Sequence, residues 1–209
     1  MNKVLVFGAG GRAGRAAVEE ALSRGHDVTA AVRDPNQYAD LPPGAKVIAA
    51  DVTLPADVAR LAGEHDALIA AVYDGGTDPA DFFVKAARAL SEGAGKARLV
   101  WVGLASIVEA EPGVLLMDTP GYPQEFRAFY LAHEAAAEIF AESALDWVSI
   151  APAGDFDHEH PVRTGGYQVI RADSASRISY ADLAIALLDE IDDPRHHRTR
   201  IGVARTRST

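Results

Sequence analysis

Three glycines at a fixed spacing, Gly8, Gly11 and Gly14, constrain this chain more than any other feature. They lie in Gly8-Ala9-Gly10-Gly11-Arg12-Ala13-Gly14, between an apolar run, Lys3–Phe7, and an amphipathic stretch over 12–24 followed by Gly25. The apolar run does not alternate, which predicts a strand covered on both faces. The amphipathic stretch predicts a helix with Gly25 as its C-terminal stop. A dinucleotide pyrophosphate must come within hydrogen-bonding distance of such a turn, and a β-carbon would obstruct it. The first glycine makes the turn, the second admits the phosphate, and the third lets helix and strand pack closely. Bare amides at the positive end of the helix then attract the anion. Gly8, Ala9, Gly11, Arg12, Ala13 and Gly14 are accordingly the expected coenzyme contacts of this turn.

Further β–α units follow. Strands are predicted over 28–32, Lys46–Ala49, 67–72 and Arg98–Val102. Helices are expected over 55–63, with a capping hydroxyl from Thr53 and Pro55 in its first turn, and over 79–91, capped by Asp78. Short links between such units predict a parallel α/β sheet, doubly wound with helices on both faces and right-handed crossovers. Beyond residue 104 the pattern loosens. Residues 104–123, rich in Gly and Pro, read as a long ordered loop. A helix over 125–143, a strand over 147–150, a loop over 154–166, a helix over 180–189 capped by Ser179 and a strand over 199–203 complete the chain. The expectation is one domain over 1–209, with 104–124 and 154–179 as substrate-side loops of a small C-terminal lobe.

Composition narrows the partners. Of 209 residues 20 are Lys or Arg and 30 are Asp or Glu, a net charge of −10, which disfavours nucleic acid and anionic membranes. Zero cysteines exclude disulfides, thiolate metal sites and a thiol nucleophile. With neither a long apolar run nor a signal-peptide pattern, the expected setting is cytoplasmic, as a monomer or homodimer acting on a small molecule.

The tip of the second strand bears on coenzyme choice. NAD sites place a carboxylate about 20 residues beyond the glycines to accept the ribose hydroxyls. Here the strand ends Ala30-Ala31-Val32-Arg33-Asp34, with Val32 at the acid's place. A guanidinium holds a 2′-phosphate bidentately, and Arg12 can reach the same group, so NADP(H) is favoured over NAD(H). The competing reading has Arg33 solvating its loop or pairing with Asp34. Asp51 and Val52 suit the adenine ring, although an acid there also stabilises a following helix N-terminus. Ala71 and Val72 are small enough for close approach to the ribose. Arg163 suits an acidic substrate or a phosphate, or else solvates its loop. The alternating acids and histidines of 155–160 lack a partner cluster, so no metal site is expected.

These residues resemble the atypical short-chain dehydrogenase/reductases, in the NAD(P)H-binding branch of biliverdin/flavin reductase B-like and nitrogen-metabolite-regulator-like (NmrA-like) proteins. The likeness rests on Val4–Gly14, 25–33, Leu145-Asp146-Trp147-Val148-Ser149-Ile150-Ala151-Pro152, Arg163-Thr164-Gly165-Gly166-Tyr167 and the 177–184 segment. It implies a Rossmann-like fold and NADP(H) use, and it makes Ala153 and Gly154 candidate contacts of the nicotinamide. Ser106 matches the family serine that orients a carbonyl or the carboxamide. Members of the family ordinarily carry a Tyr-x-x-x-Lys pair, the Lys lowering the Tyr pKa for proton exchange. Counting back from Pro152 places Phe129 and His133 there; a shift of one residue places Tyr130 and Glu134. Neither register contains Lys. Ser106 and His133 are the remaining catalytic candidates, against a loop hydroxyl bonded to its own backbone and a partly buried helix histidine. The expected activity is NADPH-dependent hydride transfer to a small planar acceptor such as a flavin, quinone or enone, which takes its protons from water. The alternatives are a non-catalytic NADP(H)-binding redox sensor and a sugar epimerase or dehydratase.

Overall fold

The computed structural model describes residues 1–206. Strand and helix alternate through the first half: β1 (Lys3–Phe7), α1 (Arg12–Ser23), β2 (Asp27–Val32), β3 (Lys46–Ala49), α2 (Pro55–Ala62), β4 (Ala67–Ala70), α3 (Pro79–Gly93) and β5 (Arg98–Val102). The second half adds β6 (Glu109–Glu111), β7 (Val114–Leu115), α4 (Arg127–Glu142), β8 (Trp147–Pro152) and β9 (Asp155–Phe156). It continues with β10 (Tyr167–Ile170), β11 (Arg177–Ile178), α5 (Tyr180–Asp192) and β12 (Thr199–Arg205). Eight strands form one sheet in the order β10-β12-β8-β5-β4-β1-β2-β3. All its pairings are parallel except that of β10 with β12. This is the Rossmann-like arrangement that the β–α repeat predicts. Strand order reverses between β1 and β4, which opens a crevice above the carboxyl ends of the strands.

The non-alternating β1 is explained by its two covers. Leu5 and Phe7 point into a core shared with α2, α3 and α4, and Val4 and Val6 into one shared with α1 and α5. Helix ends follow local chemistry. Gly25 takes φ +79° just past α1, a backbone angle that costs a side-chain-bearing residue. Asp78 accepts from the Ala80 and Asp81 amides at the start of α3, and Ser179 from the Asp182 amide at the start of α5.

The structure corrects several boundaries. Thr53 does not cap α2: its hydroxyl donates to Asp51 at 2.7 Å, and Leu54 stands at the cap position without a side-chain bond. β4 stops at Ala70, two residues early; the Ala71 amide still donates to the Phe7 carbonyl at 3.0 Å, and Ala71 and Val72 line the cleft. Residues 104–123 are not a plain loop. They hold two 3-10 turns, Ala105–Ile107 and Leu116–Asp118, around the β6–β7 hairpin, anchored by buried Ile107, Leu116 and Met117. β10 and β11 have no counterpart in the sequence reading. Much of the chain beyond 104 is main sheet, since β8 pairs with β5 on one side and with β12 on the other while α4 and α5 cover them.

Asp182 ties the two late sequence motifs together. Buried at 0% exposure, its carboxylate accepts from the Thr164 and Gly165 amides and the Thr164 and Ser179 hydroxyls. These hydrogen bonds hold its carboxyl below the usual range despite the burial that opposes ionisation.

Candidate functional site

The crevice at the strand-order reversal is a cleft of about 830 Å³. Its floor is the glycine turn. Gly8 takes φ +75°, and a Cβ there would stand 2.1 Å from the Ala71 carbonyl oxygen. A Cβ on Gly14 would stand 2.1 Å from the Gly8 oxygen, so this glycine sets the approach of α1 to β1 and does not line the cleft. Gly11 differs from both. A Cβ there would meet only the Gly8 oxygen, at 3.4 Å, so packing within the chain does not require glycine at this position. Helix α1 has no side-chain cap, and Gly11, Arg12 and Ala13 at its start line the cleft, where the first amides of a helix have no partner within the helix itself. An uncapped helix start beside an open glycine cradle fits a pyrophosphate.

On the β2–β3 side, Arg33, Asp34, Gln37, Tyr38, Asp51 and Val52 line the cleft. Arg33 does not pair with Asp34, which is engaged by the Asn36 amide and side chain and by Gln37. Its guanidinium bonds Asp74 at 2.7 Å. One Asp51 oxygen accepts from the Thr53 amide and hydroxyl. Asp57 in turn accepts from the Asp51 amide, which helps hold the Asp57 carboxyl below its ordinary range. Tyr38 covers Gly10: a Cβ on Gly10 would stand 2.2 Å from its ring. Nothing in the sequence reading pointed to Tyr38 or Gly10. The ring reaches the glycine turn only because the β2–β3 connection folds back over it.

On the β4–β5 side the lining is aromatic. Tyr73 follows β4, Phe82 and Phe83 come from α3, Gly103 and Leu104 follow β5, and Phe129 and His133 come from α4. Phe129 and His133 stand one turn apart with ring centroids 4.9 Å apart, and His133 lies 3.9 Å from the Phe83 ring. The helix therefore presents the 129/133 register to the cleft. Tyr130 turns away and packs on Tyr122 at 5.4 Å, where burial raises its pKa. His133 is 5% exposed with its Nδ1 unpartnered, and burial pushes its pKa down to about 3. In place of a tyrosine acid and a lysine, the cleft holds a phenyl ring and a neutral imidazole.

The other expected residues are distributed unevenly. Gly8, Gly11, Arg12, Ala13, Arg33, Asp51, Val52, Ala71, Val72 and His133 all line the cleft. Ala9 is buried in the core under α1. Ser106 is fully buried in a 3-10 turn, its hydroxyl without a partner among the described residues, and it is not part of the cleft wall. Ala153 and Gly154 also lie off that wall. A Cβ on Gly154 would meet the Asp173 and Ser176 carbonyls at 2.4 Å, so packing of the 173–176 turn explains this glycine. Arg163 is committed elsewhere, to Glu20 on α1 at 2.8 Å. Tyr180, an unexpected lining residue, stacks on Phe156 at 3.9 Å. Among the described residues no group of three or more His, Asp or Glu is placed to hold a metal, and no helix is long and apolar enough to cross a membrane.

Comparison with known proteins agrees with this geometry. Residues 8–194 match a family described as NAD(P)H-binding. The chain is 34% identical to the uncharacterized protein YwnB of Bacillus subtilis, over 96% of this chain and 97% of that one. It is similar to SP1627 of Streptococcus pneumoniae, whose suggested assignment is an NADH-flavin reductase, with 30% identity, a TM-score of 0.85, and 99% and 100% of the two chains covered. It is also similar to a Bacteroides thetaiotaomicron protein suggested to be an epimerase, with 31% identity, a TM-score of 0.82, and 99% and 98% covered.

Proposed function

We propose that this chain, which belongs to the NAD(P)H-binding family, is an NADPH-dependent reductase that passes hydride to a flat, electron-poor acceptor such as a flavin, quinone or enone. The observation that carries the reading is the pairing of Phe129 with a buried, neutral His133 where an acid–base pair would be needed for alcohol or sugar chemistry. The suggested assignments of the two structural relatives diverge, and this pairing favours the reductase over the epimerase. Epimerisation and dehydration lean on a tyrosine that exchanges protons with substrate. Hydride transfer to a conjugated acceptor does not, because the product takes its proton from water.

When bound, the coenzyme supplies the hydride. The first-turn amides of α1 and the Gly11 cradle hold the pyrophosphate. Arg33, with Arg12 beside the turn, takes the 2′-phosphate, and the open oxygen of Asp51 accepts the adenine amino group. Phe83, Phe129 and Tyr73 exclude water and stack on a planar acceptor. His133 donates or accepts one hydrogen bond as a neutral ring, and at neutral pH it does not deliver a proton as imidazolium.

The direct test is oxidation of NADPH by the purified protein with riboflavin, a quinone and an enone, against sugar nucleotides as controls. Turnover with at least one conjugated acceptor and none with the sugars is expected. Coenzyme binding without turnover across the panel would instead favour a non-catalytic NADP(H) sensor.

A further inference from the structure

Arg33 and Asp74 come from opposite sides of the crevice. Arg33 follows β2 and Asp74 lies beyond β4, while β1 runs between those strands with the glycine turn at its end. Their 2.7 Å contact therefore reaches from one side of the coenzyme cleft to the other. The two partners are held unequally. Asp74 accepts from the Gly76 amide and the Thr77 hydroxyl, each at 3.0 Å, and its side chain is 17% exposed. Its carboxyl is held below the usual range, by the Gly76 amide first and then by Arg33. Arg33 is 62% exposed at its side chain and has no other hydrogen bond among the described residues. Asp34, its chain neighbour, is already engaged by Asn36 and Gln37. The fixed member of the pair is the acid, and the movable member is the guanidinium.

We propose that Asp74 is a second determinant of coenzyme choice: an internal carboxylate that occupies the Arg33 guanidinium and competes with the 2′-phosphate for it. The inference rests on Arg33 being the phosphate-binding residue. A 2′-phosphate and the Asp74 carboxylate present the same oxygens to the same donors, so phosphate binding must displace Arg33 from Asp74 or bring two anions together. Either route lowers the margin by which NADPH is preferred over NADH. The apparent affinity for a 2′-phosphate is reduced by the fraction of Arg33 held by the acid.

The test is calorimetry with adenosine 2′-monophosphate, adenosine 5′-monophosphate, NADPH and NADH on the intact protein and three variants. The Asp74→Asn side chain can keep the loop bonds to Gly76 and Thr77 while losing the charge, so a folded protein is expected and circular dichroism checks it. Asp74→Asn should tighten adenosine 2′-monophosphate and NADPH about two- to fivefold, the size of one exposed ion pair, and leave the other two ligands unchanged. Arg33→Ala should weaken the 2′-phosphorylated ligands selectively, and Arg33→Ala/Asp74→Asn should show no gain over Arg33→Ala. Unchanged or weaker 2′-phosphate binding in Asp74→Asn, with Arg33→Ala still selective, would overturn the role of Asp74 alone and make the acid a support for Arg33. Equal loss for all ligands in Arg33→Ala would remove the phosphate-binding reading, and this proposal with it.

Discussion

Across β1 the cleft changes its building material. Toward β2 and β3 its wall is main chain and charge: the bare turn of Gly8 and Gly11, the uncapped start of α1, Arg33, and Asp51 with one oxygen open. Toward β4 and β5 it is rings: Tyr73, Phe83, Phe129 and the neutral His133, without a cation among them. The first side suits a phosphorylated nucleotide, whose anionic groups need donors. The second suits a flat apolar ring, whose faces need contact area and dryness. A nucleotide laid across the crevice would put its charged half in one environment and its reacting half in the other.

The glycine turn offers the sharpest way to break that comparison, because its glycines serve different ends. Gly14→Val should cost at least about 3 kcal/mol in urea unfolding, since the side chain would be driven into the Gly8 carbonyl. An unfolding midpoint close to that of the parent protein would show that α1 can shift on β1. Gly11→Ala separates folding from binding. It should stay within about 1 kcal/mol of the parent in stability, because the new methyl meets only one atom at 3.4 Å, yet lose coenzyme affinity at least about thirtyfold. Retained affinity in calorimetry would mean that the phosphate does not approach this position.

The ring-lined side is tested by pH. Folded, His133 resists protonation down to about 3, and unfolded it protonates near 6.5. The unfolded chain then binds more protons, so stability falls as pH drops from 6.5 toward 3. The slope approaches about 1.4 kcal/mol per pH unit. The depressed carboxyls of Asp182 and Glu190 add their own loss as pH falls through the ordinary values of 3.8 and 4.5, beginning about one pH unit above each. The difference in denaturant unfolding between the parent protein and His133→Leu over pH 5.5 to 6.5 therefore reads the imidazole, and His133→Leu should flatten that window. A slope unchanged by the substitution would place the titrating group elsewhere. The smallest effect is expected at the rim. Tyr73→Ala should raise the acceptor KM about three- to tenfold, as loss of one aromatic contact implies, while leaving the melting temperature unmoved because Tyr73 is 64% exposed.

The same division governs how much could be read in advance. The glycine-turn side of the cleft is largely legible in the sequence: Gly8, Gly11, Arg12, Arg33, Asp51, Ala71 and Val72, expected on one site, all line the cleft. Gly14 packs α1 on β1 as expected, but neither it nor Ala9, both expected to touch the coenzyme as well, lines the cleft. Ser106, Ala153 and Gly154 rest on family resemblance, and none lines the cleft: Ser106 and Ala153 are buried, and Gly154 packs against the 173–176 turn. The β6–β7 hairpin and β10 were missed for want of length. Each strand is four residues or fewer, too short to show a period: β6 and β7 pair with each other across a tight turn, and Tyr167–Ile170 is held by the distant 202–205.

What amino-acid order alone settled here was whatever depends on near neighbours: the strand–glycine–helix junction, the alternation of units, and the caps at Asp78 and Ser179. These follow from backbone sterics and hydrogen bonds spanning a few residues, so the pattern carries them directly. Folding in three dimensions settled the facing of α4 toward the cleft through Phe129 and His133, the partner of Arg33, and the cover of Gly10 by Tyr38. Those are side-chain meetings between segments tens of residues apart, and their outcome depends on how whole elements pack.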